Sequence, residues 1–79
     1  MKLKITVTLK VGVLDPQGDA VLRALTLLNF KNLISVRQGK IIELEIQETD
    51  SAVAKKNAEK MCESLLANPT IENYHIEVY

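Results

Sequence analysis

Few residues of this chain could do chemistry. The only histidine, His75, and the only cysteine, Cys62, lie 13 positions apart on different predicted elements. A cysteine nucleophile needs a base within hydrogen-bond reach, and this spacing does not predict such a pair. Glu43 and Glu45 share the outward side of a predicted strand, where carboxylates are usually solvated. We therefore expect this chain to carry no catalytic residue.

The composition also argues against several kinds of binding site. No His and Cys residues occur at metal-ligand spacing, and the three glycines do not form a phosphate-binding loop. The formal net charge is +0 and aromatic residues make up 4% of the chain, so nucleic acid is not an expected partner. We expect no metal and no cofactor bound by this chain.

Length and cysteine content limit the type of protein. The 79 residues predict a single domain, 1–79, which is short enough to gain stability by association. One cysteine allows no internal disulfide, which fits a reducing compartment. The N-terminus leads into an alternating pattern, so we expect no signal peptide, no membrane span and a cytoplasmic location.

Hydrophobic periodicity predicts five elements. Strict alternation predicts a strand at residues 3–9, and helical spacing predicts a helix at 16–29. Residues 33–47 are extended, a second helix follows caps at 49–51 and ends at Asn68-Pro69, and residues 70–79 form a last strand.

The extended region 33–47 allows two arrangements, because Ile34 and Val36 share parity with Ile42 and Leu44. A hairpin with a three-residue loop around Gly39 pairs like faces. A continuous strand also keeps parity, but it would run ~50 Å at about 3.3 Å per residue, which is too long for one small domain. It would have to reach into a second subunit. We expect either a hairpin or a strand that bends at Gly39 and is shared across a dimer.

This order of elements predicts an α+β fold. With the double strand it is the βαββαβ order of ferredoxin-like antiparallel sheets, with two helices on one face. The first helix has a wider apolar surface than a monomer needs, because Leu22 and Leu27 lie beside its main stripe. We therefore predict that Leu22 and Leu27 pack in a homodimer.

The start of the first helix poses a question. Asp15 is a suitable N-cap and Pro16 a suitable first helical residue. Gly18, in the first turn, weakens the helix relative to alanine. Either the helix start packs closely on its own chain, or a partner or ligand approaches it; the residues alone favour neither.

Several segments resemble the PurS family, the small subunit of phosphoribosylformylglycinamidine synthase. The resemblance runs over essentially the full length and is carried by residues 13–18, 20–21, 24–25, 36–40, 43–44, 61–63, 65–69 and 71–74. It is weakest at residues 47–58 and at the C-terminal end, where some relatives run further.

The resemblance implies a function. In this family a glutaminase, PurQ, releases ammonia, and a synthetase, PurL, uses ATP and Mg²⁺ to convert formylglycinamide ribonucleotide to the amidine. The small chain dimerises, joins the two enzymes and supports ammonia transfer without catalytic residues of its own. The implied enzyme is an ATP-dependent glutamine amidoligase complex, and the resemblance favours a partner near Gly18.

Exposure and resemblance together suggest which residues meet a partner. They fall at the helix start, around Gly39 and after the second helix: Asp15, Gln17, Gly18, Arg37, Lys40, Asn68, Glu72 and Tyr74. Each also has a structural explanation as a cap, a solvated charge or a packed ring.

Two other classes of function are open at this point. Small βαββαβ dimers often bind amino acids, so a regulatory small-molecule-binding dimer is one alternative. A stand-alone enzyme such as a small phosphatase is the other, although no glycine-rich phosphate loop with an arginine follows the first strand.

Overall fold

The computed structural model describes residues 1–79 as three strands and two helices. In chain order they are β1 (Lys2–Leu9), α1 (Pro16–Leu27), β2 (Lys40–Glu45), α2 (Ser51–Met61) and β3 (Glu72–Val78). A single π-helical turn, Cys62–Leu66, continues α2. The strands form one antiparallel sheet in the order β2-β1-β3, which confirms the predicted α+β class and its ferredoxin-like character.

The central strand β1 confirms the alternation read from the sequence. Leu3, Ile5 and Val7 are at most 1% exposed and form the middle of the core. Side chains between them point to the outer face, where Lys4 lies opposite Glu43 on one side and Glu77 on the other. One face of the sheet is therefore apolar and the other polar.

Helix α2 covers the apolar face. Asp50 caps it, its carboxylate accepting from the amide of Ala52 at 2.9 Å. Ala54, Ala58 and Cys62 are completely buried in the core against β1 and β3. Small side chains at these positions let the helix approach the sheet closely.

The connection between α1 and β2 differs from one of the two predicted arrangements. Residues 33–39 form no strand within this chain, and β2 pairs only with β1. The hairpin around Gly39 is therefore absent from the chain. The physical reason is that residues 36–39 form hydrogen bonds and pack against the end of β1 and the start of α1.

Helix α1 also departs from the expected packing. Only Gly18 of its twelve residues is buried, whereas Val21 is 38% exposed. Within this chain, only α2 covers the sheet. The sequence predicts two helices on one face, and α1 does not take that position. Helix α1 ends at Leu27 instead of residue 29, before Asn29 adopts a left-handed φ of 75°.

No helix combines the length and the apolar character needed to cross a lipid bilayer.

Candidate interaction site at the start of the first helix

Asp15 joins two segments that are far apart in the sequence. Its Oδ1 accepts from the amide of Gly18 at 2.9 Å, which caps α1, and its Oδ2 accepts from the amide of Gln38 at 3.0 Å. The amide of Gln38 first, and then that of Gly18, lower the pKa of Asp15, and Arg37 adds a smaller effect of the same sign. The ionised carboxylate therefore holds segment 36–39 beside α1.

Gly18 is explained by this contact. A Cβ added at Gly18 would lie 2.5 Å from the carbonyl oxygen of Val36 and 2.6 Å from Oδ2 of Asp15. Real side chains do not approach a carbonyl oxygen so closely, so only glycine fits. The preference for a partner at Gly18 is corrected: the close neighbour is the same chain.

Two more polar contacts fix segment 36–39. The Nε2 of Gln38 donates to Oε1 of Gln17 at 3.0 Å. The guanidinium of Arg37 donates to the carbonyl oxygen of Leu9, at the end of β1. The sequence predicts that Gln17 and Arg37 meet a partner. In the structure both form hydrogen bonds within their own chain.

Gly39 marks a second close approach. A Cβ there would lie 2.6 Å from the carbonyl oxygen of Val7, so the backbone passes directly against β1. Together with the bonds of Asp15 and Arg37, this contact holds segment 36–39 against the C-terminal end of β1.

An open cleft of about 460 Å³ lies between these segments. Four of the eight predicted contact residues line it, and they come from three parts of the chain: Asp15, Gln17, Lys40 and Glu72. Gly18 does not line the cleft and is buried in the first turn of α1. The fold therefore gathers the helix start, the beginning of β2 and the beginning of β3 into one exposed polar surface.

Asn68 and Glu72 form a turn between α2 and β3. The amide of Asn68 donates to Oε1 of Glu72 at 2.7 Å, and Oδ1 of Asn68 accepts from the amide of Thr70 at 3.1 Å. Asn68 does not line the cleft. Asn68 therefore has a structural role, because its amide and its side-chain oxygen are hydrogen-bonded within the turn.

Tyr74 lies away from the cleft, on the inner side of β3. Its hydroxyl donates to Oε1 of Glu63 at 2.8 Å. This hydrogen bond, burial and the charge of Glu63 raise the pKa of Tyr74 to about 12, from an ordinary value of 10.0. A raised pKa stabilises the fold below pH 10, and this contribution is lost as the pH rises through 12.

Leu22 and Leu27, predicted for a dimer, lie on α1 outside the core. Leu22 is half-buried and Leu27 is 84% exposed. Nothing in the chain covers Leu27. Their role in a dimer stays a prediction.

The side chains that could take part in catalysis, Cys62 and His75, lie on different elements. Burial first, and then the charges of Glu63 and Glu59, raise the pKa of the Cys62 thiol, which favours its neutral form. His75 lies on the outer face of β3, opposite Thr6 and 3.9 Å from Glu77. No cluster of three His, Cys, Asp or Glu side chains is placed to hold a metal ion. The cleft can form hydrogen bonds, but it offers no nucleophile paired with a base.

Sequence reasoning missed the internal partners of this site. Gly18 lies against Val36, Asp15 bonds to Gln38, and Tyr74 bonds to Glu63. The unusual Gly18 was a signal that backbone comes close, but it did not say from where. Glu63 had no such signal, because its bond to Tyr74 depends on how the π-helical turn directs its side chain.

The chain is similar to one described family over nearly all its length. The family profile named PurS, described as phosphoribosylformylglycinamidine (FGAM) synthase, matches residues 2–79. The chain is 46% identical over 77 residues to the PurS subunit of this synthase from Bacillus subtilis, covering 98% of this chain and 90% of the relative.

Solved structures agree with this similarity. Methanocaldococcus jannaschii PurS, described as one of the subunits of formylglycinamide ribonucleotide amidotransferase, superposes with a TM-score of 0.88 at 41% identity, covering 99% of this chain and 94% of that one. A chain of the Thermotoga maritima PurLQS structure superposes with a TM-score of 0.86 at 33% identity, covering 96% and 93%.

Proposed function

This chain belongs to the PurS family, and from that membership we propose that it serves as the small subunit of phosphoribosylformylglycinamidine synthase. The observation that carries the proposal is the full-length match, in sequence and in fold, to PurS chains that include one from a PurLQS structure. The partners are a PurL-like synthetase and a PurQ-like glutaminase. Neither a regulatory ligand-binding dimer nor a stand-alone phosphatase gains comparable support.

The proposed complex converts formylglycinamide ribonucleotide, ATP, glutamine and water to the amidine, ADP, phosphate and glutamate. PurQ releases ammonia from glutamine, and PurL activates the formyl amide with ATP and Mg²⁺. This chain binds neither ATP nor metal. It joins the two enzymes in the cytoplasm, so that ammonia passes between their active sites.

The geometry of the site is suited to a structural role. Asp15, Gln17 and Gln38 satisfy one another by hydrogen bonds, and no activated nucleophile accompanies them. A surface that is already ordered loses little side-chain entropy when a partner docks. We assign the cleft between the helix start, Lys40 and Glu72 as the contact for one of the two enzymes.

Reconstitution tests the function directly. The matching PurL and PurQ are mixed with formylglycinamide ribonucleotide and Mg-ATP, with and without this chain, and amidine formation is followed with glutamine or with ammonium. We expect glutamine-driven synthesis to require this chain and ammonium-driven synthesis not to require it. If omitting the chain changes neither rate, the proposed function is wrong.

A pair of matched variants tests the cleft in the same assay. Gln17→Trp places bulk in the cleft, whereas Gln47→Trp places it at an exposed position outside it. At limiting amounts of this chain, we expect only Gln17→Trp to lower the glutamine-driven rate, by about tenfold if it costs about 1.4 kcal/mol of binding. Equal activity of both variants would mean that the enzymes dock elsewhere.

A further inference from the structure

The connection between β1 and α1 exposes apolar side chains where polar ones would serve the fold. Val11 is 92% exposed and Leu14 is 84% exposed, whereas Val13 between them is half-buried. Turns are usually built from Gly, Pro, Asn, Asp and Ser. The fold of this chain therefore does not explain why Val11 and Leu14 are apolar. We call residues 10–14 the apolar turn.

Leu14 has no apolar partner on the helix that it precedes. A hydrophobic residue directly before the N-cap often packs against the fourth helical residue and fixes the entry of the chain. Because Asp15 is the cap and Pro16 the first helical residue, that fourth residue is Asp19, which is exposed. Leu14 therefore does not stabilise α1 in this way.

The apolar turn is ordered although it is exposed. The amide of Val13 donates to the carbonyl oxygen of Lys10 at 3.1 Å, and Gly12 has a φ of 88°. This combination is typical of a type II turn, in which glycine takes the third position. The amide of Lys10 donates to the carbonyl oxygen of Ile71 at 2.8 Å, which ties the turn to the residue before β3. An ordered turn loses little conformational entropy when it binds.

The apolar turn adjoins the cleft that we assign to a partner enzyme. Asp15 lines this cleft and also a second hollow of about 310 Å³. Val11 and Leu14 line the second hollow. Interfaces between proteins combine an apolar centre with a polar rim. One continuous surface of this chain therefore offers both parts.

The cleft contains a positive charge without a partner. The carboxylates of Asp15 and Glu72 accept hydrogen bonds from backbone amides of the chain. The ammonium of Lys40 forms no ion pair, because the only one in the chain joins His75 and Glu77. A carboxylate brought by a partner would complement Lys40.

We propose that Val11 and Leu14 anchor the contact with one of the two enzymes, by inserting into an apolar pocket of that enzyme whose rim carries a carboxylate for Lys40. The occupant is a protein, because sites for small molecules enclose their ligand in mostly apolar walls, whereas this cleft is open and mainly polar. The inference rests on the proposed function, since it names the chemistry of the partner surface.

Binding measurements test the anchor. Dissociation constants are measured for the matching PurL-like and PurQ-like enzymes, singly and mixed, with the native chain, Val11→Asp and Leu14→Asp. We expect each variant to weaken binding about thirtyfold, as the loss of a central apolar contact does. Leu65→Asp is the matched control, because Leu65 is also 84% exposed but lines neither cavity. It should bind like the native chain.

A charge reversal tests the rim. Lys40→Glu should weaken binding to the same enzyme about tenfold, because it would place a carboxylate against a carboxylate. Lys56→Glu is the control, since Lys56 is exposed on α2 and lines neither cavity. Equal binding by the Lys40→Glu and Lys56→Glu variants would remove the carboxylate from the proposal.

Two results would overturn the anchor. One is native-like binding by both Val11→Asp and Leu14→Asp. The other is a lower sedimentation mass of the isolated variants, which would mean that a second copy of the chain covers the turn. Val11→Thr keeps the shape of the side chain, so weaker binding at an unchanged unfolding midpoint would show that the loss does not come from misfolding.

The native chain separates this proposal from the proposed function. If it supports glutamine-driven synthesis and both aspartate variants bind as it does, only the anchor is wrong. If the native chain supports no such synthesis, the proposed function itself is wrong.

Discussion

Gly18 shows how one atom decides local structure. Its missing Cβ would lie 2.5 Å from the carbonyl oxygen of Val36. Glycine costs a helix about 0.5–1 kcal/mol relative to alanine. In return, glycine allows the close backbone approach that lets Asp15 accept a hydrogen bond from the amide of Gln38.

Gly18→Ala is therefore expected to destabilise the chain, although the same change stabilises most helices. Overpacking of this kind costs about 1–3 kcal/mol. Urea unfolding at a fixed chain concentration measures the change. Ala20→Gly, at an exposed position one turn into the same helix, is the control and should cost about 1 kcal/mol. A more stable Gly18→Ala chain would show that the contact with Val36 is absent.

Tyr74 and Glu63 illustrate a second residue-scale point. A predicted partner contact on β3 proved to have an internal hydrogen bond at 2.8 Å. A polar side chain can bond either to its own chain or to a partner, and its type does not distinguish the two. The same holds for Arg37 and Leu9.

At the scale of elements, Asp15 connects α1 to the segment that leads into β2. One carboxylate oxygen serves Gly18 and the other serves Gln38. The position of segment 36–39 relative to α1 therefore depends on the charged form of Asp15.

The stability that Asp15 contributes should depend on pH. Because hydrogen bonds from the amides of Gln38 and Gly18 lower its pKa, the contribution is complete above the ordinary value of 3.8 and is lost as the pH falls through the lowered pKa. The difference in unfolding free energy between the native chain and Asp15→Ala should be constant at neutral pH and shrink below pH 3.8.

Asp19→Ala is the matched control, because Asp19 lies in the same turn and is exposed. We expect it to change stability less than Asp15→Ala at neutral pH. A difference for Asp15→Ala that stays constant down to acid pH would mean that its carboxylate is not bonded as described.

At the scale of the whole molecule, the shape carries the main conclusion. The molecule measures 49 × 24 × 15 Å, and the exposed apolar side chains at the end of α1 and in the segment after it lie outside the core: Leu27, Leu28, Phe30 and Ile34. A core formed by three strands and one helix is small for an independent domain. Stability should therefore depend on association.

Chain concentration should raise the stability of the native protein. Folding coupled to dimer formation gains about 1.4 kcal/mol per tenfold increase in concentration, so the thermal unfolding midpoint should rise with concentration. Ile34→Asp places a charge in the exposed apolar segment after α1 and should lower that midpoint. Ile41→Asp, on the outer face of β2, is the control. A midpoint that does not depend on concentration would show that the chain folds as a monomer.

The sequence by itself determined much of this protein. Alternation in residues 3–9 located β1, Asp15 located the start of α1, and the three capping residues at 49–51 located the start of α2 without deciding which of them is the cap. These features are local, because a period of two or of 3.6 residues and a capping side chain act within one element.

Only the tertiary structure decided where the elements go. It placed segment 33–39 outside any hairpin, left α1 off the sheet and assigned Gly18 to its own chain. The physical reason is that an apolar pattern states which residues avoid water but not which surface covers them. A strand or helix buried by its own chain and one buried by a second copy have the same periodicity, and long-range contacts alone distinguish them.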